Sequence, residues 1–192
     1  MKKSPELAEP ERFRTEDCAH FFRTYRALQD ETKQIVPPRK SLNLRSIPSV
    51  APYLAIFELK DPSQIIVRLV GTGFVLRTGI DNTGQNALEM LPPELRDWTR
   101  EHFRRIVEVP CGSICVSREA YGDAHLLTEV ISLPFADSSG KASLVVSASI
   151  PFERPEFSLP REEMTIGGFF DVSYFDIGAG TGTDTSATPL RR

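Results

Sequence analysis

The sequence lacks most of what would mark an enzyme, a membrane protein or a secreted mini-domain. Cysteine is scarce: Cys18, Cys111 and Cys115 are an odd set, at spacings that fit no disulfide framework, and no companion Cys or His pair follows at zinc spacing. Free thiols of this kind fit a reducing compartment, so the expected localisation is cytoplasmic. No apolar run approaches the ~18 residues that a membrane span requires. Met1-Lys2-Lys3-Ser4-Pro5-Glu6 has no apolar stretch behind it, which argues against a secretory leader. A strong charge of one sign is missing as well. A net charge of −3 points to neither a nucleic-acid binder nor a membrane-surface binder. The three histidines are scattered, there is no Gly-Xaa-Ser-Xaa-Gly elbow, and Gly71-Thr72-Gly73 lacks the third glycine and the Lys-Ser/Thr of a phosphate loop. No catalytic residue and no metal site is assigned, and the chain is not expected to be an enzyme.

What remains is material for one core. Hydrophobic residues make up 40% of the chain and charged residues 26%, and 192 residues hold one domain with flanking segments. Residues 1–15 are polar, contain prolines and are expected to be flexible. Thr15 then precedes Glu16 and Asp17, a hydroxyl cap followed by acids where the helix dipole favours them. Phe21, Tyr25, Leu28, Thr32 and Ile35 recur at helical steps, widened by Cys18 and Phe22, until Pro37-Pro38. The spacing predicts an amphipathic helix within 16–38 that is too short to stand alone. Its face of Phe21, Phe22, Tyr25, Leu28 and Ile35 must cover apolar surface. That surface is either the domain's own sheet or a second copy in a homodimer.

Strands are expected over 54–59 and 65–70, joined by the turn chemistry of Lys60-Asp61-Pro62-Ser63-Gln64. Short helical pieces over 73–78 and 86–91 follow, then a longer helix from Pro92-Pro93 to about Val109. Three more strands are expected near 113–118, 126–134 and 142–152, the last two joined by Asp137-Ser138-Ser139-Gly140. Arg96, Arg100, Arg104 and Arg105 alternate with Glu94, Asp97, Glu101 and Glu108 along the long helix, the pattern of a solvated face with modest ion pairs. Residues 154–192 read as an extended segment. Residues 167–175 are aromatic enough to pack on a surface, and the Gly/Thr/Ser/Ala run beyond about 177 is expected to be disordered.

The stretch Arg68-Leu69-Val70-Gly71-Thr72-Gly73, followed by Gly79-Ile80-Asp81-Asn82-Thr83-Gly84-Gln85-Asn86-Ala87-Leu88-Glu89-Met90, resembles the centre of a PAS domain. The likeness is greatest to the family of bacterial proteins with one PAS domain and no output domain, and it covers roughly residues 40–152. The resemblance implies an α/β (α+β) fold: a PAS-like domain over 39–153 with a five-stranded antiparallel sheet and short helices on one face, plus the N-terminal helix. It also implies a sensory or signalling role. A small molecule would be bound in the core, or a protein partner through the sheet and the N-terminal helix. Gly84 suits a chain reversal that needs either a positive φ or a close backbone approach.

In such domains the cavity lies between the sheet and the short helices. The candidates to face it are Phe74, Leu76, Leu88, Leu91, Trp98, His102 and Ile106, with Ile131, Leu133 and Val146 from the strands. An open pocket and a core filled by side chains are both compatible with these residues, the filled core being the default and leading to a ligand-free adaptor. His102 lies in the stripe Trp98–His102–Ile106, and the resemblance makes it a candidate haem ligand. Flavin photosensors of this family carry Gly-Xaa-Asn-Cys at the segment where this chain has Gly84-Gln85-Asn86-Ala87. Ala87 excludes the cysteinyl adduct and leaves non-covalent flavin open. No cofactor is required. In the alternative in which the cavity serves an enzyme, His102 or Glu129 would be the base.

Overall fold

The computed structural model describes residues 13–61, 63–121, 124–152 and 164–181. Residues 1–12, 153–163 and 182–192 lie outside the described residues, and with them most of the expected flexible terminus and the end of the tail. The first helix, α1 (Glu16–Thr32), begins as its capping residues dictate: the Thr15 hydroxyl accepts from the Cys18 N–H at 3.3 Å. It ends before Pro37-Pro38. The Thr32 hydroxyl donates back to the Leu28 carbonyl, and Lys33 enters the left-handed region at φ 56°, which stops the hydrogen-bond ladder. Ile35 therefore lies past the helix rather than on its stripe.

Three short 3-10 turns at Arg39–Ser41, Leu44–Ser46 and Ala51–Tyr53 lead into β1 (Leu54–Asp61), which forms a hairpin with β2 (Gln64–Val70). Next come α2 (Thr72–Thr78), a turn-rich segment, and α3 (Pro93–Glu108). The meander β3 (Cys111–Tyr121), β4 (Ala124–Ala136) and β5 (Ala142–Pro151) follows, and then β6 (Thr165–Asp176). Among the described residues these strands all pair antiparallel, in the order β2-β1-β5-β4-β3-β6. The fold is α+β and PAS-like: two strands, a helical region, then a meander whose last strand closes on β1.

Two expectations about secondary structure need correction. The sheet has six strands, not five, because residues 165–176 of the tail pair along the free edge of β3. The pair Gly167-Gly168 and the aromatic run hide this strand from propensity. What seats it is Gly112 of β3, where a Cβ would stand 2.1 Å from the Phe175 ring. The second correction concerns residues 86–91, which form hydrogen-bonded turns and no helix. Their backbone serves the edge of β2 instead: Ala87 N–H donates to the Ile65 carbonyl at 2.8 Å and Gly84 N–H to the Val67 carbonyl at 2.7 Å. Gly84 has φ +88°, so of the two reasons for a glycine at this reversal the positive φ applies.

The sheet is covered on both faces. On one, Phe21, Phe22, Tyr25 and Leu28 of α1 pack against Ile131, Leu133, Phe135 and Val146, and the Tyr25 hydroxyl donates to the Pro134 carbonyl at 3.0 Å. Of the two surfaces open to the helix, its own sheet is the one it covers. The assignment of Phe21, Phe22, Tyr25 and Leu28 to a homodimer face is thereby corrected, since a buried face has nothing left to offer a second copy. Ile35, 48% exposed, stands apart from them. On the other face lie α2, the turn segment and α3. The outer side of α3 carries ion pairs of Arg100 with Asp97 and of Arg104 with Glu101 and Glu108, as its charge pattern predicted. Among the described residues no helix is long and apolar enough to cross a membrane.

Candidate ligand cavity

Successive side chains of a strand point to opposite faces, so each central strand feeds two different layers. Ile114 of β3, Ile131 and Leu133 of β4, and Val146 and Ala148 of β5 lie in the layer under α1. The alternate positions are Cys115, Ser117 and Glu119 of β3, Val130 and Ser132 of β4, and Ser147 and Ser149 of β5, and they line a cavity beneath α2 and α3. Small side chains on this floor leave space that leucine or isoleucine would fill. The cavity measures about 210 Å³.

Of the ten candidates, Phe74 of α2, Leu91, and Trp98 and His102 of α3 line it. Six other candidates are placed elsewhere or buried without access. Ile131, Leu133 and Val146 belong to the layer under α1; with both faces of these strands buried, choosing the larger apolar residues selected the wrong parity. Leu76 points to solvent, 87% exposed. Leu88 and Ile106 fill the solid end of the same layer with Ile65, Phe103 and Val145. The filled core expected by default is thus found beside the cavity rather than in place of it.

The polar groups around the cavity form two sets, partnered and unpartnered. Arg77 of α2 donates through Nε and Nη2 to the two oxygens of Glu119, 2.9 Å each, with both side chains almost fully buried. The Tyr121 hydroxyl adds a third bond to Glu119 at 2.7 Å, and Arg77 Nη2 reaches Ser149 Oγ at 3.3 Å, while Arg77 Nη1 is buried without a partner among the described residues. Fork-to-carboxylate geometry of this kind compensates the two charges where water is excluded. Ser132 and Ser147 bond each other at 2.8 Å, and Ser149 donates to Thr128 at 3.1 Å. Asn82 Nδ2 donates to the Met90 sulfur, which leaves its Oδ1 without a donor. Trp98 Nε1, Thr99 Oγ1 and Ser117 Oγ are likewise buried and unpartnered among the described residues. Buried polar groups are normally satisfied, so four on the wall of one cavity are a concentrated departure from the rule.

His102 is buried and neutral. Burial, with the nearby Arg105 charge, holds its imidazole down to about 3. Its Nδ1 lies 2.8 Å from the Tyr174 hydroxyl and its Nε2 3.2 Å from Ser113 Oγ, so both ring nitrogens are engaged. A haem iron would need one of them free; the residues do not fit that group. Glu129 lies on the far face, accepting from the Arg14 and Thr15 N–H groups at 2.7 Å each and from the Thr15 hydroxyl at 2.6 Å, a second cap on α1. It therefore cannot act as a base in the cavity. Ala87 does line the cavity, so the position at which the flavin resemblance implies a thiol faces inward but carries none. Burial pushes the Cys115 thiol up to about 12, which keeps it protonated and a poor nucleophile.

No family model matches the chain, and no curated protein matches it either. Solved structures do. RsLOV is 16% identical over 56% of this chain and 64% of its own, with TM-score 0.43. An RNA-binding light-oxygen-voltage receptor is 12% identical over 60% of this chain and 35% of its own, with TM-score 0.42. A sensory box sensor histidine kinase from Vibrio cholerae is 17% identical over 64% of this chain and 97% of its own, with TM-score 0.39. The chain thus spans less than two thirds of the first two.

The residues that sequence reasoning missed are Arg77, Asn82, Thr99, Ser117, Glu119, Ser132, Ser147 and Ser149. One signal was legible: the alternation Ser147-Ala148-Ser149 and Cys115-Val116-Ser117 sets small polar residues against apolar ones in strands long enough to be central. Phe169 was hidden with its strand. It stacks on Trp98 at 4.9 Å, and His102 stacks on Trp98 at 4.7 Å.

Proposed function

We propose that this chain is a non-catalytic sensory module that binds a small molecule between its sheet and α3 and relays occupancy to a protein partner or to a second copy. The observation that carries the reading is the hydroxyl-lined cavity with four unpartnered polar groups on its wall. A cavity with no occupant would be expected to be apolar, whereas unmet donors and acceptors call for a bound molecule or ordered water. The engaged nitrogens of His102 and the protonated Cys115 supply no base and no nucleophile, which favours binding over chemistry.

A route outward runs through α2. Phe74 lines the cavity, Arg77 ties the helix to Glu119, and Leu76 of the same helix stands 87% exposed. A ligand acts on such an element by favouring one of its positions over another. Native and denaturing mass spectra of the protein as purified test the reading. A stoichiometric extra mass, lost on denaturation, is the expected result. Bare protein that also gains no thermal stability from any member of a fragment library would overturn it and leave the ligand-free adaptor.

A further inference from the structure

Three properties of the cavity define what it accepts, and together they describe a ligand class. The first is size. An apolar cavity of about 150 Å³ takes up benzene; about 210 Å³ therefore suits a substituted ring or a small fused bicycle. It falls short of the roughly 300 Å³ at which pockets for drug-sized ligands begin.

The second is charge. Among the described lining residues Glu119 is the one formal charge, and Arg77 meets both its oxygens. His102, which also lines the wall, holds its neighbours through both nitrogens. Arg77 Nη1 is one more unmet donor, but the Arg77–Glu119 pair is neutral overall, so an ionic ligand would be desolvated without a free opposite charge, a cost that neutral molecules avoid.

The third is the pattern of unmet groups. His102 and Phe169 both stack on the Trp98 indole, at 15° and 20°. Its Nε1–H, at the ring edge, is an unanswered donor. A thioether sulfur accepts and cannot donate, so the Asn82 amide is oriented by Met90 and its Oδ1 is an unanswered acceptor. Ser117 and Thr99, 3% and 4% exposed, have hydroxyls that can serve as either.

Resting on the reading of the cavity as a ligand site, we infer that the occupant is a neutral one- or two-ring molecule carrying a hydrogen-bond acceptor for Trp98 Nε1–H and a donor for Asn82 Oδ1. Cyclic amides and hydroxylated nitrogen heterocycles have that combination.

The test uses the full chain and four probes of similar bulk: oxindole (neutral, with acceptor and donor), naphthalene (neutral, with neither), benzoate and benzamidine. Affinities are measured by calorimetry. Oxindole is expected to bind at least about tenfold more tightly than naphthalene, the worth of one or two satisfied buried groups, and the ions not measurably. Trp98→Phe keeps the stack and removes the N–H. It should weaken oxindole about tenfold and leave naphthalene unchanged, which also shows that the variant is folded. Asn82→Leu should do the same from the acceptor side.

Equal affinities for oxindole and naphthalene, or preference for an ion, would overturn the ligand class while leaving the cavity as a binding site. So would a copurifying ligand that is charged at neutral pH. If no probe binds and the protein purifies bare, the ligand class and the sensory reading both fail.

Discussion

The two faces of one sheet have opposite characters. Beneath α1, isoleucine, leucine, valine and phenylalanine interlock with Phe21 and Tyr25, and the polar atoms there are matched, as in Tyr25 with Pro134 and Glu129 with Thr15. Beneath α3 the same strands present serines, and the polar atoms are only partly matched. One face is built for stability and the other gives up packing for space. The lesson is that a strand buried on both sides encodes two layers at once, and the layer with the smaller side chains is the one that holds the cavity.

The contrast can be broken most forcefully on the packed face. Phe21→Ala removes a fully buried ring and should cost about 4 kcal/mol of stability, read by urea denaturation with the far-ultraviolet signal. A loss under about 1 kcal/mol would mean that α1 is not docked as described. Next comes the ion pair on the cavity side: Arg77→Met strands the Glu119 carboxylate and should cost about 3 kcal/mol, much of it recovered in the double variant with Glu119→Met. Additive losses would deny the coupling.

His102 sharpens the comparison through pH. The folded protein keeps this imidazole neutral down to about 3, while in the unfolded chain it takes a proton near 6.5. Stability is therefore complete above about 6.5 and declines as pH falls toward 3, approaching about 1.4 kcal/mol per pH unit. His102→Gln should flatten that part of the profile relative to the parent.

Thr15→Ala removes the cap of α1 and one donor to Glu129, an expected loss of about 1 kcal/mol. The smallest effect on stability belongs to the cavity floor. Ser117→Val puts two methyl groups in place of an unmet hydroxyl and should change stability by less than about 1 kcal/mol in either direction, yet abolish small-molecule binding. Comparable losses from Ser117→Val and Phe21→Ala would erase the distinction between the faces.

Much of the architecture was legible because it rests on local chemistry. Thr15 with two acids started a helix, Gly84 reversed the chain, Asp137 to Gly140 turned it, and alternating β-branched runs formed five of the six strands. The sixth was not, since a segment with Gly167-Gly168 becomes a strand by pairing with β3, and Gly112, far away in sequence, makes the room for Phe175. The site was half legible. The stripe of α3 pointed to Trp98 and His102, which line the cavity, while the strand residues were chosen by size and lie on the opposite face.

The amino-acid sequence by itself determined where helices and strands begin, the PAS-like order of elements and the amphipathic face of α1, because capping, turn chemistry and periodicity act over a few residues. Tertiary structure decided that this face closes on its own sheet, that Glu129 caps a helix rather than lining a cavity, and that four polar atoms converge unpartnered around one space. Those outcomes depend on which of two buried faces each side chain enters, and strand parity is settled by pairing between segments distant in the chain.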